Sequence, residues 1–397
     1  FREGYEPRPF NVLEENTLAF GLRSRFLGTT QLFEHPLNFT LGGEFFKDNY
    51  ISKTYQNLYE EYPVGTGSVK GVSLSHFNED RSYYNVFLET NYELSKKTSL
   101  VFGLNYNQTI YDLKDNFIAT EHNPDQSGAY RFRGIWSPKM GVSFLASNDI
   151  SLYSTVSHGF SPISLAETLL PNGQINTNLK PETGWNYEGG ARGVLFQNKL
   201  QFNLALYRLD IRNLVVSRRV ANDQYIGINA GQTRHDGFEF GLYYSLVNNT
   251  QFTLSTFING TFNHFRFKEF IDGNHDFSGN DLTGIPSEVV NAGIDFTTKF
   301  GIYGAINYQQ VGSQPMTDNN LLYTDSYDLT NLKIGYSTKI LKQLKINLFV
   351  GVDNVFGESY ASQILINARS FGGNAPRYYY PGAPVNFYTG IAINCIL

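Results

Sequence analysis

The sequence predicts an all-β fold, an antiparallel transmembrane β-barrel, and three observations lead to this prediction. Apolar and polar residues alternate along extended stretches: Leu100, Phe102 and Leu104 fall on one side of a strand, and Gly103 and Asn105 on the other. The connections between such stretches are alternately short and long, as in barrels whose two ends face different compartments. Aromatic residues make up 15% of the chain, and tyrosine is well suited to a membrane interface.

About fifteen segments of alternating or β-rich sequence follow one another along the chain. Several are joined by tight polar turns, such as Ser147-Asn148-Asp149. The predicted strands are 16–27, 37–47, 82–94, 98–113, 136–146, 150–158, 184–196, 199–211, 234–246, 251–268, 289–300, 302–314, 325–338, 345–355 and 386–396. Long connections are predicted at 48–81, 114–135, 159–183, 212–233, 269–288, 315–324 and 356–385.

Composition narrows the class of protein further. Only 17% of the residues are charged, which is below the usual share in a soluble domain. No run of about 18 apolar residues occurs, so the sequence predicts no transmembrane helix. A net charge of −5 gives no support to nucleic-acid binding. The single cysteine, Cys395, allows neither an intramolecular disulfide nor a metal site built from several cysteines.

Strand direction predicts that the barrel begins before Phe1. If the short turns are periplasmic and the long loops extracellular, the last strand runs towards the periplasm, and counting back the first strand does too. A barrel with both termini in the periplasm needs an even number of strands. We therefore expect residues 1–397 to be the C-terminal portion of one barrel domain, with N-terminal strands missing.

Six short motifs resemble those of TonB-dependent outer-membrane receptors, in the order that the family shows. They are Tyr153, Ser157, Gly159, Phe160, Pro162 and Glu167; Asn176 to Glu182 (N-T-N-L-K-P-E) with Glu188 and Gly190; Gly237-Phe238-Glu239; Gly284-Ile285-Pro286; Val352 to Phe356 (V-D-N-V-F) with Tyr360; and Pro381 to Pro384 (P-G-A-P) with Tyr388 and Gly390. The stretch from Gly159 to Glu182 looks most like the iron-complex receptors of the Bacteroidetes type.

The resemblance implies a barrel of about 22 strands around a plug. About fifteen strands here would leave the plug domain and the TonB box outside the chain. It also implies location in the outer membrane of a Gram-negative bacterium, in contact with lipid, and TonB-driven import of a scarce nutrient. The nutrient implied is an iron–siderophore complex, with the TonB–ExbB–ExbD system acting through the missing plug. The barrel itself is expected to hold no cofactor or metal.

Two loop segments are candidate ligand-binding sites. A ferric chelate that is anionic requires cationic and hydrogen-bonding groups beside aromatic surfaces. The first candidate is Arg377-Tyr378-Tyr379-Tyr380, and the second is His122 with Tyr130, Arg131 and Arg133.

Other functions remain open from the sequence alone. Haem, cobalamin or another TonB substrate could replace the siderophore, and a passive porin-like channel would share the polar lumen. A barrel enzyme would need an acid–base constellation, and the sequence contains no G-x-S-x-G, H-E-x-x-H or P-loop pattern. We therefore predict no catalytic residues.

Overall fold

The computed structural model describes residues 11–58, 68–119, 124–164, 176, 179–221, 224–229, 231–341, 344–368, 376 and 378–395. These residues form strands and connections, and no described helix is long and apolar enough to cross a membrane. The strands are β1 (Val12–Leu32), β2 (His35–Asn57), β3 (Lys70–Ser95), β4 (Thr98–Asp115), β5 (Gly128–Arg131), β6 (Ile135–Leu145), β7 (Ile150–Ser161), β8 (Glu182–Leu195), β9 (Leu200–Arg212), β10 (Val215–Ala221), β11 (Gln224–Asn229), β12 (Gln232–Asn248), β13 (Phe252–Glu269), β14 (Ile271–Asp272), β15 (His275–Asp276), β16 (Glu288–Thr298), β17 (Ile302–Val311), β18 (Tyr327–Leu341), β19 (Leu344–Asp353), β20 (Ala361–Ile364), β21 (Tyr379–Pro381) and β22 (Asn386–Cys395).

One antiparallel sheet contains the fifteen long strands. Its order is β1-β2-β3-β4-β6-β7-β8-β9-β12-β13-β16-β17-β18-β19-β22, and β5 pairs with β4 beside this path. The other short strands form three separate hairpins, β10-β11, β14-β15 and β20-β21. Each long strand pairs with its neighbour in the chain, so the predicted all-β antiparallel architecture is confirmed. Within the described residues, β1 and β22 do not pair with each other.

The two faces of the sheet differ in chemistry, as the alternation predicts. On β4, Phe102 and Leu104 are 43% and 44% exposed, whereas Asn107 on the opposite side is 3% exposed. We call the side of Phe102 the apolar face and the side of Asn107 the polar face. Residues directly opposite in an antiparallel pair lie on the same face, so the register assigns every strand of the path to these two faces.

The strands near the N-terminus are longer than predicted. Residues 48–81 are predicted as a long connection, but β2 continues to Asn57 and β3 begins at Lys70. This prediction was wrong because the added segments are polar and lack the apolar alternation that identifies a membrane strand. They are joined instead by polar cross-strand contacts, such as Arg81 Nη2 to Asp48 Oδ2 at 2.6 Å and Asn49 Nδ2 to Asn78 Oδ1 at 2.6 Å.

The connections at the two ends of the strands differ in length. Two residues, Phe33 and Glu34, join β1 to β2, and Lys96 and Lys97 join β3 to β4. At the other end the connections are 58–69, 116–134, 162–181, 213–231, 270–287, 312–326 and 354–385, and short strands interrupt several of them. We call these the turn end and the loop end of the sheet.

An arginine placed on the apolar face should be much more destabilising than one on the polar face. Leu242 and Tyr243 are neighbours near the middle of β12; Leu242 lies opposite Ile258 on the apolar face, and Tyr243 lies on the polar face. In the intact receptor in a bilayer, Leu242→Arg should lower the free energy of unfolding by about 2–4 kcal/mol, because the charge would meet hydrocarbon. Tyr243→Arg is the matched control and should cost less. Equal losses in a denaturant titration in vesicles would contradict the assignment of the faces.

Candidate functional site

Two of the loops pack on the loop end of β4 through a buried apolar cluster, which we call the first loop core. Its members are Tyr111 and Leu113 of β4, Tyr130 and Phe132 of loop 116–134, and Ile163 and Leu179 of loop 162–181. The Tyr111 ring meets Phe132 edge to face at 5.7 Å, and its hydroxyl donates to the Ile163 carbonyl at 3.2 Å. Val215, at the start of β10, packs against the same cluster. The first loop core therefore connects three loops.

A second loop core lies further along the sheet. It is built on the buried rings of Phe267 and Phe270, whose centroids are 4.6 Å apart. Leu214 and Ile228 pack on it from loop 213–231, and Phe277 and Leu282 pack on it from loop 270–287. Burial of apolar surface thus holds these two loops together.

Asp318 links the last three loops by hydrogen bonds. The Thr283 hydroxyl donates to Asp318 Oδ1, and Asn280 Nδ2 donates to the Asp318 carbonyl at 2.8 Å. Asn367 Nδ2 donates to Asp318 Oδ2 at 2.9 Å, and Asn367 Oδ1 accepts from the Asp318 amide at 3.1 Å. With the two loop cores, these bonds join the loops from 116–134 to 354–385 into one continuous layer, which we call the loop layer.

The tyrosines of the first candidate site lie on the ribbon formed by β20 and β21. Tyr379 and Tyr380 are 58% and 54% exposed, and they pair with Ile364 and Gln363. The Leu365 amide donates to the Tyr378 carbonyl at 2.6 Å, which closes the ribbon at its tip. Since neighbouring residues of a strand point to opposite sides, both faces of the ribbon present a tyrosine.

The second candidate site is divided by the structure. Tyr130 is 8% exposed, with its ring 4.4 Å from that of Phe132 in the first loop core. Arg131 is exposed and lies opposite Ile110, on the apolar face. Arg133 is also exposed. Tyr130 and Arg131 therefore do not share a surface, and ligand binding by this group stays a prediction. His122, like Arg377 of the first candidate site, lies outside the described residues.

Motif residues from two neighbouring strands meet on the polar face. Tyr153 of β7 lies directly opposite Gly190 of β8, and its hydroxyl donates to Glu188 Oε1 at 2.8 Å. A Cβ at position 190 would lie 2.6 Å from the Tyr153 ring, so the ring occupies the space that glycine leaves free. The Arg192 guanidinium lies over the same ring, 5.8 Å from its centroid. The glycine and the glutamate of the motif thus position one tyrosine.

The Lys180-Pro181-Glu182 motif closes the base of loop 213–231. Asn229 accepts from the Lys180 amide and donates to the Lys180 carbonyl, both at 2.8 Å. Glu182 Oε1 accepts from the Val215 amide at 2.7 Å. These bonds satisfy backbone groups where β8 begins and where the β10–β11 hairpin begins.

Asn354 likewise closes the base of the last loop, 354–385. It is 4% exposed, and its Nδ2 donates to the carbonyls of Glu358 at 2.8 Å and of Ala383 at 3.0 Å. The two ends of loop 354–385 are therefore joined by one amide side chain. The Tyr360 ring, 4.8 Å from that of Tyr327, packs at the same base.

Elsewhere the polar face includes hydrogen-bonded amides and ion pairs. Gln309 donates to Asn291 at 3.0 Å and Asn291 donates to Asn259 at 3.3 Å across three strands. Near the N-terminus, Arg23 pairs with Glu44 at 2.9 Å. Within the described residues no group of three or more His, Cys, Asp or Glu side chains is arranged to hold a metal ion.

The loops carry more acidic than basic residues. In the seven connections at the loop end, the sequence has twelve Asp and Glu and seven Lys and Arg. Hydrogen bonds from Ser127 lower the pKa of Asp125, and those from Ser278 lower the pKa of Asp276, so both carboxylates remain charged at neutral pH. An excess of negative charge at this end disfavours the approach of strongly anionic ligands.

The sequence did not predict that Asp318 links the loops. Asp318 belongs to no motif and lies among polar loop residues, and its partners are 35 and 49 positions away in the sequence. Its only local signal is an Asp-Asn-Asn run, which predicts a turn.

The comparisons with known proteins identify the family. The family model described as "TonB dependent receptor-like, beta-barrel" matches residues 2–355. The chain therefore belongs to the TonB-dependent receptors, and the resemblance drawn from the motifs is confirmed. Receptors of this family reside in the outer membrane of Gram-negative bacteria. The Bacteroidetes-type detail stays a prediction.

Several relatives are receptors for iron complexes. The ferrioxamine receptor of Yersinia enterocolitica is 24% identical over 77% of this chain and 39% of its own length. The probable TonB-dependent siderophore receptor PiuA of Acinetobacter baumannii is 27% identical over 40% of this chain and 21% of its own length. Among solved structures, the ferric citrate transporter FecA has a TM-score of 0.77 at 15% identity, covering 98% of this chain and 56% of that structure. The chain thus spans about half the length of FecA and less of the curated relatives.

Removal of the Asp318 carboxylate should loosen the contacts among the last three loops. We expect Asp318→Ala to accelerate amide hydrogen exchange in 280–284 and 366–368, because each lost charge-assisted hydrogen bond contributes about 1–3 kcal/mol. Asp325→Ala, an exposed position in the same loop, is the matched control and should leave these amides unchanged. Unaltered exchange in 366–368 of the Asp318 variant would show that Asp318 does not link the loops.

Proposed function

We propose that this protein imports an iron–siderophore complex across the outer membrane of a Gram-negative bacterium, driven by TonB. The family supports TonB-dependent transport, and relatives that are ferrioxamine and ferric-pyoverdine receptors support a ferric chelate as the cargo. The observation that carries the proposal is the exposed tyrosine ribbon within a loop layer above a polar wall. Transport rather than catalysis is the role that this family supports.

The barrel and the plug have different roles in this proposed import. Residues 1–397 form a barrel domain, whose apolar face contacts outer-membrane lipid and whose polar face lines the lumen. A plug domain of the receptor would fill that lumen and communicate with TonB–ExbB–ExbD. The barrel holds no cofactor of its own, and the iron complex is the substrate.

The loops suggest how the ligand is captured. Tyr379 and Tyr380 offer aromatic surfaces and hydroxyl groups, which suit the organic shell of a ferric chelate. Arg377 precedes them in the sequence and would supply a guanidinium. Because acidic residues outnumber basic ones in the loops, the preferred complex is neutral or cationic overall, as ferric trihydroxamates are, rather than a multiply charged anion.

Loss of the aromatic ribbon should weaken ligand capture without preventing assembly. We expect the triple variant Arg377→Gln, Tyr379→Ala, Tyr380→Ala to bind a ferric trihydroxamate at least about tenfold more weakly, because aromatic and arginine anchors dominate binding sites. Phe300→Ala removes an aromatic side chain that is 78% exposed at the turn end, and it should bind as the wild type does. Binding is measured by quenching of intrinsic fluorescence, and assembly by heat-modifiable mobility in gels. Unchanged affinity in an assembled triple variant would remove the ribbon from the site.

Uptake in cells separates active import from passive diffusion. We expect deletion of the gene to abolish uptake of radioactive iron supplied as the preferred ferric siderophore, and deletion of tonB to have the same effect. A porin-like channel would continue to transport without TonB, which would contradict the proposal. Supplying iron as ferric citrate and as haem in parallel tests the assignment of the cargo.

A further inference from the structure

A half-buried histidine lies on the polar face at the loop end of β12. His235 stacks on Phe265 of β13, which lies directly opposite it, with the ring centroids 4.4 Å apart and the ring planes 13° from parallel. Leu209 of β9 lies opposite it on the other side. Its Nε2 is buried and has no hydrogen-bond partner among the described residues. The imidazole is therefore packed as an apolar ring would be.

The charged residues nearest to His235 in the strands lie on the apolar face. Its neighbours Arg234 and Asp236 are there because successive side chains of a strand alternate. Asp210 of β9 is paired with Arg234 at 2.7 Å, and Asp236 is paired with Arg208 at 2.6 Å. Charges are excluded from hydrocarbon, so this row of the sheet lies outside the membrane core.

On the polar face, the titratable neighbours of His235 are Tyr207 of β9 and Glu239 of β12, one and two rows nearer the turn end. In loop 270–287, Asp281 is paired with Arg266 at 3.3 Å. The other loop of the second loop core has no titratable group among its described side chains. The remaining titratable residues of β13 and loop 270–287 are exposed: His264, Lys268, Glu269, Asp272, His275 and Asp276.

A positive charge on the His235 imidazole is therefore poorly stabilised while the loops are closed. Burial lowers the pKa of His235, and the charge of Asp210 opposes this effect. The parallel Phe265 ring attracts a cation weakly in comparison with the hydration that burial removes. When the loops separate, the imidazole meets water and binds a proton at its ordinary pKa. The support that neutral His235 gives to the closed loops is thus present above that ordinary pKa, and it is lost as the pH falls through the lowered pKa of the closed state.

The strand that carries the stacked ring also holds loop 270–287 against the sheet. The Leu282 amide donates to the Phe265 carbonyl at 2.8 Å, and the Gly279 amide donates to the Phe267 carbonyl at 2.8 Å. The ring of Phe267, which shares the polar face with Phe265, is one of the two buried rings of the second loop core. Displacement of Phe265 would therefore disturb both the hydrogen bonds and the apolar packing that hold the loop.

The same loop supports the tyrosine ribbon. A Cβ added at Gly284 would lie 3.2 Å from Ile366 Cγ2 and 3.9 Å from Ile364 Cδ1, so both isoleucines pack over this glycine. Ile364 lies opposite Tyr379 in the ribbon. Movement of loop 270–287 would therefore move the surface on which the ribbon rests.

We propose that His235 makes the loop layer sensitive to acid: when its imidazole takes up a proton, loop 270–287 separates from β13 and the ribbon loses its support. The iron complex is then held less tightly at acidic pH, and this consequence rests on the proposed function. The movement of the loop itself does not depend on the identity of the ligand.

The test measures backbone hydrogen exchange in the intact receptor in detergent micelles, at about pH 7.5 and at about pH 5.5. Protection factors, which correct for the intrinsic pH dependence of exchange, should fall about threefold or more in 279–284 of the wild type at the lower pH. His235→Phe keeps a stacked ring and removes the nitrogens that bind the proton, so its protection factors should be equal at both pH values. A fall as large in His235→Phe as in the wild type would overturn the proposal, as would constant protection in the wild type.

The matched control is His275→Phe in the same loop. His275 also stacks on a phenylalanine, Phe277, with ring centroids 6.0 Å apart and ring planes 15° from parallel, but it is exposed. Because an exposed imidazolium stays hydrated, this variant should respond to acid as the wild type does. Loss of the acid response in His275→Phe would assign the effect to His275 and contradict the proposal.

Ligand affinity tests the link to the ribbon separately. The Kd for a ferric trihydroxamate, measured by fluorescence quenching, should rise about threefold or more at the lower pH in the wild type. It should stay constant in His235→Phe, which also controls for any effect of acid on the chelate. An acid response of the loop without a rise in Kd would overturn the coupling to the ribbon. Absence of binding at both pH values would contradict the proposed function instead, while hydrogen exchange would still decide the role of His235.

Discussion

The structure depends on aromatic side chains that lie over glycines directly opposite them on the polar face. Tyr153 lies opposite Gly190, Tyr207 opposite Gly237, and Tyr303 opposite Gly335. At each glycine, an added Cβ would fall within 2.6 Å of ring atoms. A shift of one residue would turn the ring to the other face and bring a side chain beneath it. Each pair therefore fixes the register of its two strands, and fixed register determines which residues meet lipid and which meet the lumen.

The sequence predicted those strands whose alternation has a physical cause. Where one face of a strand contacts hydrocarbon, every second residue, such as Phe102, must be apolar, whereas the residues between them need not be. This requirement produces the alternation with a period of two. The loop-end halves of β2 and β3 lie beyond that constraint, so their strands carry residues such as Asp48, Asn49 and Arg81, which resemble a loop in sequence. Their pairing is specified by cross-strand ion pairs and amide hydrogen bonds between positions more than 28 residues apart, which no local pattern contains.

The candidate site was predicted less completely for a related reason. The motifs located residues that close loops, and the structure gives these residues a physical role: Asn354 joins both ends of the last loop, and Glu182 receives the amide of Val215. Whether an exposed tyrosine contacts a ligand depends on how loops pack on one another, and that packing rests on Asp318 and the two loop cores. Their partners come from distant segments, so composition alone could place Tyr379 in a loop but could not show that it is exposed there.

The period of two also decides which neighbours in the sequence can act together. In Tyr130-Arg131-Phe132-Arg133, the aromatic residues enter the first loop core while the arginines stay exposed. A run that combines aromatic and cationic residues therefore need not form one site when the backbone is extended. The same rule applies to the ribbon of β20 and β21, where Tyr379 and Tyr380 face opposite sides. The two exposed rings therefore cannot lie against the same side of one bound molecule. If the ribbon binds a chelate as proposed, the face of the ribbon that turns towards the lumen decides which tyrosine can contact it: Tyr378 and Tyr380 on one side, or Tyr379 on the other.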